Sequence, residues 1–309
     1  MSLTSKEQAG VLQSPTAPQR TPLPQPEAPS RTTTTLPEEP LVVIEPSRSW
    51  VAVNLRDLWA HRELLYFLIW RDLKVRYKQT VLGVAWVIMQ PLLTTLIFTV
   101  FLGKLARVPS DNIPYPLFAY AGLLLWTFFA SAVTHTGNSL IGSAQLITKI
   151  YFPRMLIPGA AVGARLVDFA IAFTLLIGLM VYYGVAATRN IVMLPVIVVL
   201  LILLTLGIGM WTSALNVKYR DVGIALPVLV QLWMFVSPIV YPASLVPARW
   251  QWAYALNPLV GIIEGFRASI FGQEFNWSAL AFSTVVTFAL LISSAYTFKR
   301  MEKTFADHV

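Results

Sequence analysis

Cysteine is absent from the 309 residues, and histidine occurs three times, at His61, His135 and His308. The first absence excludes disulfides and thiolate metal sites. The histidines lie far apart, so no metal site is expected. Charge is scarce too. Only 12% of the residues are charged and 56% are hydrophobic, whereas a soluble domain carries about 25% charged residues. So apolar a chain needs lipid as its solvent. The net charge of +8 could suggest nucleic acid, but the cations cluster at the ends of apolar runs, as in membrane proteins. No nucleic-acid partner is expected. Catalytic signatures are missing as well. There is no G-x-x-x-x-G-K-[ST], so no nucleotide is bound through a P-loop, and no G-x-S-x-G, H-E-x-x-H or kinase-like set occurs. The chain is not expected to be an enzyme or to hold a cofactor. Energy for any work has to come from elsewhere.

What is present is long apolar runs behind a different kind of N-terminus. Residues 1–49 are rich in Pro, Thr, Ser, Gln and Glu and cannot bury enough surface to offset their ordering entropy. They lack the apolar core of a signal peptide, so a disordered cytoplasmic tail is expected. Over 50–80, Trp59, Tyr66, Trp70, Leu73 and Tyr77 fall on one helical stripe, and Arg71, Lys74 and Lys78 on another. A basic face beside an aromatic one suggests a helix lying in the membrane interface; packing on a protein partner is the alternative.

A helix needs about 20 apolar residues to cross the hydrocarbon core. Six runs qualify: 81–102, with a Gln90-Pro91 break, 115–134, 155–183, 191–215, 222–241, with Pro227 and Pro238, and 278–298. The expected fold is therefore an all-α membrane protein of six spans, with residues 301–309 as a short cytoplasmic tail. With the N-terminus inside, the inner segments hold fourteen Lys and Arg and the outer ones five (Lys104, Arg107, Arg189, Arg249 and Arg267). The positive-inside rule then puts both termini in the cytoplasm, which requires an even number of spans.

Two connections do not look like solvated loops. Residues 242–277 are aromatic and apolar, interrupted at Asn257-Pro258, and suggest two short re-entrant helices in the outer leaflet. Residues 145–154 mix basic and large aromatic side chains on the inner side. Such a loop either docks into a partner's groove or anchors the next span at the interface.

The I-T-K-I-Y-F-P-R run at 147–154, N-V-K-Y-R-D at 216–221 and S-P-I-V-Y-P at 237–242 stand in order along the chain, followed by Asn257-Pro258 and Phe266-Arg267. Together they resemble the type-2 ABC exporter permeases, and within these the branch that exports lipid-linked O-antigen, capsule or teichoic acid chains. The resemblance runs from about Asp57 to Asp307. It implies a plasma-membrane (bacterial inner-membrane) half-transporter, in which two copies pair around a channel and two separate ATPase subunits carry the ATP and Mg. Ile147, Lys149, Tyr151, Phe152 and Arg154 would form the coupling helix seated on the ATPase, and 242–277 the outer gate helices.

A channel for a lipid-linked glycan needs aromatic faces on which sugar rings can stack. Candidates are Tyr120, Trp126, Phe128, Phe129, Trp233, Phe235 and Tyr241, with packing against membrane lipid as the alternative for each. Arg165 and Asp168 are three apart within one span and can pair; they are functional candidates because intramembrane charges are costly. Glu264 and Arg267 share that spacing and would latch the gate. The pairs Gly159/Gly163 and Gly261/Gly265 would let helices approach closely. A drug or lipid exporter of the same superfamily would share these features. A secondary transporter would need ion-coupling acids in its spans, where only Asp168 occurs, and a membrane glycosyltransferase would need an acid pair or metal site that is not found.

Overall fold

The computed structural model describes residues 55–78, 85–302 and 305. The expected tail over 1–49 lies outside these residues, as does most of 301–309. Every regular element among the described residues is helical: α1 (Leu55–Ala60), α2 (Arg62–Tyr77), α3 (Ala85–Phe98), α4 (Tyr115–Gly142), α5 (Ala144–Lys149), α6 (Leu156–Tyr182), α7 (Leu194–Lys218), α8 (Asp221–Phe235), α9 (Ala248–Ala255), α10 (Pro258–Phe271) and α11 (Trp277–Glu302).

Five helical stretches are long and apolar enough to cross a membrane: Ala85–Leu105, Tyr115–Gly142, Leu156–Tyr182, Arg189–Lys218 and Trp277–Glu302. The run expected over 222–241 does not form one continuous helix. It is helical for the 15 residues of α8, about 23 Å at 1.5 Å per residue, against a hydrocarbon core of about 30 Å. Pro238 explains the stop. It has no N–H to donate, and its ring pushes Ser237 out of helical geometry. The Gln90-Pro91 break expected in the first span is also absent. α3 runs through Pro91 and continues as a π-helical turn over Thr99–Leu105.

α4 is the central post. It packs against α3, α6, α7, α8 and α10, and from Leu117 to Phe129 only Thr127 escapes burial. A helix apolar all round can only be interior or lipid-facing, and here protein surrounds it. α11 packs on α7 and α10, and α2 lies along α6.

Both small-residue pairs receive a neighbour. Leu65 and Ile69 of α2 lean on α6 at Gly159 and Gly163; a Cβ on Gly163 would fall 2.7 Å from Ile69 Cδ1. A Cβ on Gly261 of α10 would fall 2.4 Å from the Ala279 carbonyl oxygen of α11. α2 seats on α6 through Leu64, Leu65, Leu68 and Ile69, while Trp59, Tyr66 and Trp70 of the expected aromatic stripe stay exposed.

Candidate functional site

Where α8 ends, the chain runs from Val236 to Pro242 without an α-helix. Inside a bilayer each uncapped carbonyl would cost several kcal/mol, so the break needs donors. Side chains from the break itself, from α4 and from α10 with its N-cap supply them. Ser237 Oγ donates to the Trp233 carbonyl (3.1 Å) and Tyr241 Oη to that of Phe235 (2.9 Å). Asn257 Nδ2 donates to Val236 (3.2 Å) and Tyr115 Oη to Val240 (2.8 Å). Arg267 Nη1 reaches the Pro238 carbonyl (2.7 Å), and Nη2 reaches Ile239 (2.6 Å) and Phe118 (3.2 Å).

Arg267 is the centre of this arrangement. It is 3% exposed, and its guanidinium carbon lies 3.6 Å from the Phe118 ring centroid. The planar fork can serve several carbonyls at once while stacking on an aromatic face. Gly122 leaves room for the approach, because a Cβ there would lie 2.2 Å from the Ile239 carbonyl oxygen. Asn257 plays a matching part. Its Oδ1 caps α10 at Leu259 N (3.1 Å) and accepts from Trp233 Nε1 (3.1 Å). The Asn-Pro pair thus both starts α10 and ties it to the end of α8.

The expected Glu264–Arg267 latch takes a different form. The Nη groups of Arg267 go to carbonyls. Among the described residues no ion pair joins Arg267 to a carboxylate. The spacing brings both residues to α10, but the guanidinium turns its Nη groups to the carbonyls of Pro238, Ile239 and Phe118.

The aromatic candidates divide. Tyr120, Trp126, Phe128 and Phe129 are buried in α4; Tyr120 Oη donates to the Ala172 carbonyl at 2.8 Å, and Phe128 meets Phe169 edge-on at 5.5 Å. Their faces are occupied by side chains of this same chain. Trp233 is half-buried against Phe129, edge-on at 5.4 Å, and Tyr241 is half-buried beside Tyr254 at 6.5 Å. Phe235 is 67% exposed. Tyr115 and Phe118 carry no site signal in the sequence, since a tyrosine at a span's end reads as an interface anchor until its partner carbonyl is known.

At the opposite end, residues 145–154 pack by halves. Ile147 and Phe152 are buried in a cluster with Leu68, Leu156, Phe298 and Phe305. Lys149 and Ile150 are exposed, and Tyr151 is 92% exposed. Arg154 turns inward. Its Nη1 donates to the Glu302 carbonyl, and its backbone N–H donates to Glu302 Oε1 at 3.3 Å. A cation on the last carbonyls of a helix satisfies orphan acceptors and suits the helix dipole, so Arg154 ties the loop to α11. Nearby, Asn216 of the N-V-K-Y-R-D run bridges helices: Nδ2 donates to the Gly137 carbonyl and Oδ1 accepts from Gly223 N, both at 2.9 Å.

Arg165 and Asp168 do pair, at 3.4 Å, but the carboxylate has two more partners. Arg76 and Tyr77, both from α2, also bond to it. Asp168 is thus the anchor of α2. A second tie joins Asp72 of α2 to Arg71 at 2.8 Å and His135 of α4 at 3.9 Å. Burial pushes the Asp72 carboxyl up, but the hydrogen bonds and charges of His135 and Arg71 outweigh it and hold the group below its usual range.

The family model described as ABC-2 type transporter matches residues 63–271. Among similar proteins, the O-antigen export system permease protein RfbA of Myxococcus xanthus is 30% identical over 260 residues, covering 82% of this chain and 98% of that protein. RfbA of Klebsiella pneumoniae is 30% identical over 246 residues, 79% of this chain and 94% of that one. The polysialic acid transport protein KpsM of Escherichia coli is 27% identical over 232 residues, 71% and 87% respectively. The matched region contains α2, the loop before α6, the Asn216 bridge, the broken end of α8 and α10 with its buried arginine, and by that match the chain belongs to the ABC-2 type transporter family.

Proposed function

We propose that this chain is the permease subunit of an ATP-driven exporter that moves a lipid-linked polysaccharide from the cytoplasm across the plasma (inner) membrane. The observation that carries this reading is the near full-length similarity to the O-antigen export permease of Myxococcus xanthus, which covers 98% of that protein. Hydrolysis of ATP, with its Mg, belongs to a separate ATPase, two copies of which serve two copies of this chain.

The physical features fit the role. The exposed Lys149, Ile150 and Tyr151 form a compact basic and aromatic face on a loop whose buried half, Ile147 and Phe152, and whose Arg154 tie it to the bundle. A loop fixed in this way can pass on a push, where a free loop would only bend. α8 serves as the sixth crossing, its short helix completed by the capped segment to Pro242. That count keeps both termini in the cytoplasm, and α9 and α10 form a re-entrant outer gate. In the gate the latch is Arg267 on the carbonyls of Pro238 and Ile239, in the segment that follows α8. Phe235, Trp233 and Tyr241 line the glycan path beside this break, and the four buried α4 aromatics support them from behind.

The test is reconstitution with the ATPase that copurifies with the chain. Expected is a one-to-one complex that exports a lipid-linked glycan with ATP. A complex that turns over only with small drugs or free lipids, and moves no glycan, would overturn the reading.

A further inference from the structure

The face of α2 turned away from α6 holds a groove of about 370 Å³ lined by Phe67, Trp70, Arg71, Lys74, Val75 and Lys78. These positions recur at three and four residues, so the groove runs along one helical face. Its direction is imposed by the other face, where Leu68 is buried and Arg76 and Tyr77 bond to Asp168. Its charge is unbalanced. Arg71 is held by Asp72 at 2.8 Å, whereas Lys74 and Lys78 have no carboxylate at ion-pair distance among the described residues. Beside these cations Phe67 and Trp70 are more than half exposed.

Two contacts set the groove's level in the bilayer. α4 carries no charged side chain between Tyr115 and His135, about the 20 residues of one crossing, and His135 faces Asp72. α6 carries none between Asp168 and its end at Tyr182, and Asp168 bonds Arg76 and Tyr77. The apolar slab of α4 therefore begins at the level of His135 and Asp72, and the groove on α2 lies at that border. Lipid phosphates lie there, on the side of the bundle that also carries Lys149, Lys218, Lys299 and Arg300.

We propose that this groove is a binding site for an anionic glycerophospholipid of that leaflet. Arg71, Lys74 and Lys78 take the phosphate and head group. Phe67, Trp70 and Val75 cover the glycerol and the first methylenes. Free phosphate would use the cations but leave these apolar groups bare, so the occupant is a lipid. The proposal rests on the family's membrane setting and not on what is exported.

The test uses the purified full-length chain in neutral detergent, titrated with phosphatidylglycerol or phosphatidylcholine and read by native mass spectrometry and melting temperature. Expected are retained phosphatidylglycerol and a rise in melting temperature that phosphatidylcholine does not give. At the contribution typical of a cation beside an anionic surface, Lys74→Gln with Lys78→Gln weakens retention about thirtyfold. Lys74→Arg with Lys78→Arg keeps it, as does Arg300→Gln, which removes a cation elsewhere. Trp70→Ala weakens retention without changing the charge. Equal binding of both lipids, full competition by inorganic phosphate, or unchanged retention in the double Gln variant would overturn the proposal. So would retention of a polyprenyl phosphate in place of phosphatidylglycerol, which would give the groove to the transported lipid. No ATPase or glycan is needed, so failure here is distinct from failure of the export reading.

Discussion

Arg267 of α10 places Nη2 2.6 Å from the carbonyl oxygen of Ile239, in the segment where α8 has already ended. A side chain 28 positions away thus supplies the donor that this carbonyl lacks once the helix has stopped.

Replacing Arg267 by Met leaves the Pro238, Ile239 and Phe118 carbonyls without this donor. Hydrogen bonds to charged groups contribute about 1.5–3 kcal/mol each, so a loss of at least about 3 kcal/mol is expected. It would register as a lower melting temperature in detergent and as faster labelling of a cysteine placed at Val240. The native chain has no cysteine, so the label is unambiguous. A Met variant as stable and as poorly labelled as wild type would show that the guanidinium does not hold the break.

Gly122→Val tests the same contact from α4. Its Cβ would sit 2.2 Å from the Ile239 oxygen, and since that oxygen is backbone, the break has to move. Export is expected to fall and Val240 labelling to rise. Gly142→Val, with no neighbour within 4 Å of its Cβ, serves as the control.

Tyr151 and Phe152 are adjacent and predict opposite behaviour. Tyr151 is 92% exposed and Phe152 6%. Tyr151→Ala should leave stability within about 0.5 kcal/mol while weakening capture of the ATPase in pull-down. Phe152→Ala should cost about 3–5 kcal/mol through the cavity it opens. Equal stability losses in the two variants would remove the division between exposed and packed halves of this loop.

Asp72 gives a pH signature. Its carboxyl is held below its usual range in the folded chain. Its stabilising contribution is therefore complete above the unfolded value of about 4 and is lost as pH falls through the lower folded value. The melting-temperature gap between wild type and Asp72→Asn should close as pH falls below about 4. A gap that persists undiminished well below that pH would contradict the His135 and Arg71 contacts.

Asp168→Asn should loosen α2. It removes the charge that Arg76, Arg165 and Tyr77 share, and proteolysis between α2 and α3 should accelerate several-fold. Leu68→Ala, which weakens the same seat by packing alone, should act in the same direction.

The sequence by itself determined the membrane setting, the all-helical class and where most spans lie. These follow from hydropathy and charge placement, which are one-dimensional quantities read over about 20 residues. It also exposed the odd segments, because Pro238, Asn257-Pro258 and the basic-aromatic run at 147–154 break local expectations. Only the tertiary structure decided what those residues do. Helical spacing paired Arg165 with Asp168 correctly, yet could not foresee Arg76 and Tyr77 arriving from another helix. The same spacing paired Glu264 with Arg267, and there the carbonyls of a helix broken 28 residues earlier took the guanidinium. Composition could not tell the buried aromatics of α4 from exposed ones, since an apolar run has no periodicity to tell a protein neighbour from an open face. Hydrogen-bond partners and the faces of buried helices are set by long-range packing, and that information is carried by the fold as a whole.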